Sequence, residues 1–483
     1  MDVTNVTTLL VTIVLIGNIV LAGVVVFIER RDIGSTWAWL MVLFFIPIVG
    51  FLVYLFLGRQ LKQRNFYRLS SEERNYLQST VDEQIHQLQN RRFFDHKLLI
   101  KHSDLLLMNL NSSNALLSMF NEIEIFSDGH EKFQSLFEDI QNAQEEIHLQ
   151  YYIIQRDSLG KRLRDELTKK AQEGVKVRVL YDEIGSKRIS PGFFKELIHY
   201  GGEVEAFFPS FLKLINFRIN NRNHRKLCII DRKIAYIGGF NIGNEYLGLD
   251  KKFGFWRDTH LRIKGESVNQ LQGRFLLDWN YAAKNKLNLE PYAVPMEKPE
   301  GNSPVQIITS GPNSETEHIK NMYIKLIMTA KRTVYIQSPY FVPDASFMDA
   351  CKIALLSGVD VRIMIPSKGD FPIVYWATLA YTGELVDYGA KIYLYEKGFI
   401  HAKTIVVDQE VASVGTANID KRSFQLNFEV NAVIYDEKVA KQLSDLFLQD
   451  CHDSSQLTMG KYKERSMFIK FKEAISRLLS PIL

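Results

Sequence analysis

Two stretches of this chain follow one pattern. IHLQYYIIQRD at 147–157 and VYIQSPYFVPD at 334–344 each follow a helix-like segment. Gln150 matches Gln337 and Asp157 matches Asp344, both 187 residues apart. GVKVRVLYD at 174–182 then matches GVDVRIMIP at 358–366. Short β-rich runs after amphipathic helices are the βα pattern of a layered α/β domain. A chain that carries such a unit twice is expected to fold it twice. The spacing predicts lobes over 126–285 and 305–455. A linker over 286–304 joins them, with Pro291, Pro295, Pro299 and Pro304, because proline suits neither a helix interior nor a sheet interior.

The second repeat carries chemistry. NHRKLCIIDRKIAYIGGFNI and IHAKTIVVDQEVASVGTANI share His-x-Lys-x4-Asp, then Gly, then Asn-Ile. The residues are His224, Lys226, Asp231, Gly238 and Asn241, then His401, Lys403, Asp408, Gly415 and Asn418, all 177 apart. LCII and TIVV read as strands, and residues two apart on a strand share a face. Each lobe would thus present an imidazole beside an ammonium. Joined, two lobes offer two His and two Lys at one place. Lysines supply positive charge for phosphate oxygens. One neutral imidazole can attack phosphorus while the other, protonated, serves the leaving oxygen. Asn241 and Asn418 can donate hydrogen bonds to the phosphate. Asp231 and Asp408 complete the motifs, and their place at an apparent hairpin turn suits holding the turn or balancing the lysine. A lysine set between the imidazole and the carboxylate opposes a divalent ion, so neither a metal nor another cofactor is expected.

Charge is absent from Val3 to Ile28 and again from Ile33 to Gly58, with only Glu29, Arg30, Arg31 and Asp32 between. Each run is long enough to cross about 30 Å of hydrocarbon as a helix. The expectation is a membrane hairpin over 1–58, with spans at about 8–28 and 37–57. Trp37, Trp39 and Tyr54 fit an interfacial belt. Asn18 is the strongly polar group in the middle of the first run, and Pro47 and Gly50 are candidates for a kink. A cleaved signal peptide needs a basic stretch before the apolar run, and the first basic residue here is Arg30. Arg59, Lys62, Arg64, Arg68 and Arg74 follow the second run, against Arg30 and Arg31 in the loop. This bias favours a cytoplasmic body.

The paired motifs resemble those of the phospholipase D superfamily. With the double hairpin, ERRD at 29–32, WAWL at 37–40 and YIGGFNIGNEYLG at 236–248, nearly the whole chain resembles the bacterial cardiolipin synthases of that superfamily. The resemblance implies a two-lobed, duplicated α/β/α sandwich behind two transmembrane helices, in a bacterial cell membrane. It implies an active site between the lobes and metal-independent transfer through a phosphohistidine. The family reaction joins two phosphatidylglycerol molecules into cardiolipin and releases glycerol. By that analogy His224 is the nucleophile and His401 the general acid, although near-symmetric halves do not separate the roles. Asp258 in FWRDTHLRI and Glu429 in NFEVNAVIY would orient the opposite lobe's imidazole, Asp258 with His401 and Glu429 with His224. Strict symmetry fails at that Asp/Glu pair and where Thr416 replaces Gly239.

Other readings remain at this level: a membrane-bound hydrolase of the superfamily, a phosphatidyltransferase with another alcohol acceptor, or a lipid-binding module without catalysis. A net charge of +4 is compatible with anionic membrane lipid and does not call for nucleic acid. Cys228, Cys351 and Cys451 lie in no metal or disulfide spacing. Residues 59–125 read as a charged helical connector, with a helix start at Ser71, Glu73 and Arg74. Two segments stand outside the repeat. FFPSFLKLINFRI at 207–219 reads either as a loop that dips into the membrane interface or as core. The last stretch, 456–483, carries Phe468, Phe471, Ile475, Leu478 and Ile482 at helical spacing among basic residues. That is a basic amphipathic helix, either on an anionic surface or against the body.

Overall fold

The structure is a computed structural model that describes residues 3–29, 33–54, 58, 66–67, 70–90, 96–190, 192–209, 220–287, 301–314 and 316–480. Arg30, Arg31, Arg59, Lys62, Arg64 and Arg68 lie outside the described residues, as do 210–219 of the inserted loop and 288–300 of the linker.

The body holds two sheets that repeat one topology. In the first, the strands run across the sheet as Asn121–Phe126, His260–Gly265, Ile234–Gly238, Leu227–Ile230, Glu146–Tyr151, Lys176–Asp182 and Glu203–Phe207. The second repeats that order as Val305–Ser310, Glu429–Ile434, Val411–Gly415, Thr404–Val407, Thr333–Gln337, Asp360–Pro366 and Lys391–Tyr395. In each, the strand inside the motif pairs antiparallel with the strand that carries Gln150 or Gln337. The duplicated α/β fold is thus present strand for strand. The second sheet gains an edge strand at each side, Leu117–Ser118 and Ser454–Leu457. Leu117–Ser118 pairs with Val305–Ser310, so the chain joins the second sheet before it builds the first.

Both faces of each sheet are covered. Leu227 and Ile229 point into a core shared with Val406, Val414 and Val430 of the other lobe. Cys228 and Ile230 point into the first lobe's outer core under the helices Gly129–Asn142 and Ser158–Gln172. Alternate residues of one strand therefore serve two cores, which is why LCII is apolar throughout and TIVV is apolar after Thr404, whose hydroxyl donates to Gln337 Oε1 at 3.1 Å. The helices Ser267–Ala282 and Glu437–His452 contribute Phe275, Leu276, Leu443 and Phe447 to the shared core. Phe207 and Phe208, at the start of the inserted segment, belong to that core too.

The connector's helix starts at Ser71, where the sequence reading places it. Ser70 caps the helix Ser71–Gln89, its hydroxyl accepting from Glu73 N while the Glu73 carboxylate accepts from Ser70 N at 2.7 Å. This is a capping box, with the cap residue outside the first helical turn.

The amino-terminal apolar runs differ from each other. Val3–Phe27 is one helix, and among the described residues it alone is long and apolar enough to cross a membrane. The second run is broken at Ile46 into Ile33–Phe45 and Pro47–Val53, where a single span over about 37–57 was expected. The cause is Pro47, which has no N–H for the carbonyl four residues earlier. Asn18 takes over that carbonyl: its amide donates to Leu43 O at 3.1 Å and to Pro47 O at 2.9 Å. Trp39 and Tyr54 are buried against each other, ring centres 5.3 Å apart, with Leu43 and Val25 beside them, and Trp37 faces outward. Ser35, at the loop end of the hairpin, accepts a hydrogen bond from Lys421 of the second lobe.

Candidate active site

The motif histidines lie just before their strands, which start at Leu227 and Thr404. Each occupies a segment that pairs with the other lobe. His224 N donates to Phe428 O at 2.9 Å and Phe428 N to Arg222 O at 2.8 Å. Gly398–Ile400 runs parallel to Phe255–Arg257, and His401 N donates to Arg257 O at 2.7 Å. The residue directly after each crossing is the partner's acid, Glu429 after Phe428 and Asp258 after Arg257. The lobes thus exchange short β pairings, and each exchange sets one lobe's histidine beside the other lobe's carboxylate.

His224 Nδ1 lies 2.9 and 3.0 Å from the Glu429 oxygens, and His401 Nδ1 lies 2.6 Å from Asp258 Oδ2. A carboxylate only accepts, so Nδ1 carries the proton in both rings and Nε2 is left with its lone pair. Asp258 and Glu429 are fully buried, while the imidazoles keep 8–9% of their surface. Burial pushes His224 down to about 4 against the pull of Glu429, with Lys226 adding to the fall. Burial, then Lys403, pushes His401 down to about 3. Both rings are therefore neutral at pH 7. For the acids, burial works upward, and the histidines and lysines outweigh it, so Asp258 and Glu429 titrate below their ordinary values.

Lys226 and Lys403 are buried, and each folds back on its own histidine's carbonyl, Lys226 Nζ donating to His224 O at 2.6 Å and Lys403 to His401 O. Burial lowers Lys226 to about 7 and Lys403 to about 8. Lys226 also feels Glu429, Lys403 and Asp258, which puts both motifs in one electrostatic site. Two depressed ammonium groups beside two imidazoles form a pocket that gains most from an anion.

The two acids are held differently. Asp258 Oδ1 accepts directly from Thr259 N at 2.7 Å. Glu429 is one methylene longer, and Thr416 fills the difference. Its hydroxyl accepts from Val430 N at 3.0 Å and donates to Glu429 Oε2 at 2.5 Å. At the equivalent Gly239, an added Cβ would stand 1.9 Å from Asp258 Oδ1. The departures from symmetry are therefore one matched exchange: Gly with Asp, Thr with Glu.

The remaining motif residues are placed elsewhere. The Asp231 carboxylate takes the backbone N–H groups of Gln144, Glu145 and Glu146 at 2.7–2.9 Å. Asp408 does the same for Lys331, Arg332 and Thr333 at 2.7–2.8 Å. Both lie at the far end of the motif strand, about 13 Å from its start at roughly 3.3 Å per residue. They lock the hairpin turn to the neighbouring strand and are not brought to the imidazoles. Asn241 is engaged as well, accepting from Ile153 N at 3.1 Å and donating to Tyr246 Oη at 3.1 Å. The second N–H of its amide takes no part in these two bonds. The Asn418 Oδ1 is buried with no partner among the described residues.

Sequence reasoning missed a layer behind the site. Arg225 is buried and forms two bonds to Asp278, at 2.8 and 2.6 Å, while its Nε donates to Glu429 O of the other lobe at 3.1 Å. Arg257, of the first lobe, reaches Asp450 of the second at 2.9–3.0 Å. Gln150 donates to Asp278 at 2.6 Å and Gln337 to Asp450 at 2.8 Å. The repeated glutamines were the visible trace of these clamps. Tyr152 and Trp256 flank the imidazoles of His224 and His401, ring centres 4.9 and 5.2 Å apart.

A profile of the family described as "Cardiolipin synthase, PLD-like domain" matches residues 136–279 and 323–451. A second, "Phospholipase D-nuclease N-terminal", matches 16–59. The chain is 54% identical to a cardiolipin synthase of Listeria welshimeri, over 98% of this chain and 99% of that protein. It is 52% identical to the major cardiolipin synthase ClsA of Bacillus subtilis, over 99% of this chain and all of that one. Among solved structures, a phosphatidylserine synthase of Haemophilus influenzae aligns at a TM-score of 0.59 and 17% identity, over 78% of this chain and 96% of its own, a likeness of fold. By sequence over nearly its whole length, by its duplicated lobes and by its paired motifs, the chain belongs to the cardiolipin synthase family of the phospholipase D superfamily.

Proposed function

We propose that this phosphatidyltransferase uses phosphatidylglycerol as both donor and acceptor. His224 Nε2 attacks the phosphorus of one phosphatidylglycerol, the P–O bond to glycerol breaks, and the leaving oxygen takes its proton from His401. A headgroup hydroxyl of a second phosphatidylglycerol then attacks the phosphorus and gives its proton to His401, as the P–N bond to His224 Nε2 breaks. Cardiolipin leaves and both imidazoles are restored. Lys226, Lys403 and Asn418 hold the phosphate oxygens, and the incoming anion favours protonation of His401. The observation that carries this reading is the pair of imidazoles, each oriented through Nδ1 by the opposite lobe's carboxylate, an arrangement that fixes the tautomer and supports imidazolium. The assignment of nucleophile and acid rests on the family resemblance.

The test is a trapping experiment with a labelled phosphatidyl ester of an acidic alcohol, whose leaving oxygen needs no proton. His401→Ala, which cannot deprotonate the acceptor, is expected to accumulate a lipid-labelled protein with the label on His224, and His224→Ala none. Label on His401 in the His224 variant would reverse the roles. Phosphatidic acid as the main product of the native chain would mean that water is the acceptor.

The apolar hairpin associates the chain with a membrane, and we infer two crossings with a cytoplasmic body. Supporting this, the first run is a single exposed apolar helix, and Asn18 satisfies the carbonyl that Pro47 leaves open, as hydrocarbon demands. Crossing carries Ser35 away from Lys421, whereas a hairpin lying on the surface keeps that bond. A cysteine at Ser35 (S35C) that labels from outside intact cells supports crossing; protection there sinks it.

A further inference from the structure

The carboxy-terminal helix is docked with its wrong side in. Met467–Leu479 lies along Pro372–Val386. The residues it buries are Glu473 and Ser476, and just after it Ser480. Glu473 accepts from Arg465 at 2.7 Å, Ser480 meets Tyr381 Oη at 2.9 Å, and Arg477 pairs with Glu384 at 2.6 Å. The opposite side carries Met467, Phe468, Phe471, Ile475 and Leu478, all exposed, four of the five above 60%. A helix that rests on its protein normally buries its apolar stripe. Here the polar stripe makes the contacts and the apolar stripe is presented outward.

That stripe is edged by cations. Lys470 and Arg477 lie on one flank and Lys472 on the other, since residues three and four apart share a face. Phe371 and Ile373, where Pro372–Val386 begins, are exposed as well, and Lys472 at the edge of the stripe lies over Trp376 of that helix at 4.9 Å. Phe371 follows Asp370, which accepts from Tyr340 at 2.5 Å and acts electrostatically on Lys403 of the active site. The apolar rim thus reaches the residues around the site.

We propose that this face is a second membrane contact. The stripe lies in the headgroup boundary of a bilayer rich in anionic phospholipid, and Phe371 and Ile373 bring the active-site side of the second lobe against the same surface. A bilayer is the fitting occupant because the stripe is aromatic and aliphatic, basic at its edges, and on a chain whose amino-terminal helix already associates it with a membrane. The inference rests on the reading that the substrate is a bilayer phospholipid.

The test uses the full-length chain in phosphatidylglycerol vesicles. Phe471→Cys is labelled with an environment-sensitive fluorophore in a Cys451→Ser background, since Cys228 and Cys351 are buried. Brominated acyl chains are expected to quench the label roughly twofold, as befits burial at the acyl boundary. Equal emission in brominated and ordinary lipid overturns the proposal, as does a signal that depends on protein concentration alone, which would mark a second copy as the cover. In parallel, Phe468→Ser, Phe471→Ser and Leu478→Ser together should slow cardiolipin formation in bilayers about tenfold, through lost apolar burial. Turnover of short-chain, monomeric phosphatidylglycerol should be unchanged. A native bilayer rate in the triple variant refutes the surface. Failure of the unmodified chain on the short-chain lipid refutes the substrate reading instead, and the quenching result still decides the surface.

Discussion

The matched exchange around the two carboxylates can be tested by swapping it. Gly239→Ala places a methyl 1.9 Å from Asp258 Oδ1. Ordinary carbon contacts lie near 3.5 Å, so the carboxylate must retreat by roughly 1.5 Å. Its 2.6 Å bond to His401 does not survive a displacement of that size. A hydrogen bond to a charged partner contributes about 1.5–3 kcal/mol, and its loss from the transition state lowers the rate by about 10- to 150-fold. Gly239→Thr alone should fall at least as far. Asp258→Glu alone should also lose activity, because the longer acid meets no hydroxyl there. Gly239→Thr with Asp258→Glu rebuilds in the first lobe what Thr416 and Glu429 form in the second, where Thr416 passes the Val430 N–H on to the acid. The double variant should regain activity to within several-fold of native. Initial rates of cardiolipin formation in mixed micelles measure this cycle, with thermal unfolding as a check on folding. Native turnover in Gly239→Ala, or a double variant no faster than its worse parent, would refute the reasoning, since coupled neighbours must depart from additivity.

Two further outcomes follow from the site. Burial lowers Lys226 to about 7 and Lys403 to about 8; above those values the ammonium forms are lost, so kcat/KM should fall as pH rises through 7–8, while His224, pushed down to about 4, stays neutral until pH drops near that value. Glu429→Gln removes the charge that holds Lys226 up and should move the alkaline limb to lower pH; an alkaline limb that does not move would falsify the assignment. Asp231→Ala deletes the acceptor of three backbone N–H groups and should cost about 1–3 kcal/mol of stability by chemical unfolding, with kcat of the folded protein unchanged. A large fall in kcat at native stability would place Asp231 in the chemistry after all.

The duplication, the lobes and the four motif side chains were legible in the sequence because they are local and repeated. His-x-Lys spacing, Gly-Asn tails and β-rich runs at a constant separation need no knowledge of distant contacts. The two acids were legible only through the family resemblance, since Glu429 is 205 residues from His224 and Asp258 is 143 from His401. Periodicity carries no information across such gaps. The docking of two sheets through one shared core brings them together. The tertiary structure alone decided the rest: that the histidines sit in cross-lobe β pairings ahead of their strands, that Asn241 spends its amide on Ile153 and Tyr246, and that Thr416 relays a backbone N–H. It also decided that of the two kink candidates Pro47 is the one that breaks the second apolar run, and that Asn18 mends the break. The carboxy-terminal helix makes the division plain. Its amphipathic spacing is written in the sequence, but which side faces the protein depends on Glu384, Tyr381 and the helix that carries them, and those contacts exist only after the second lobe has folded.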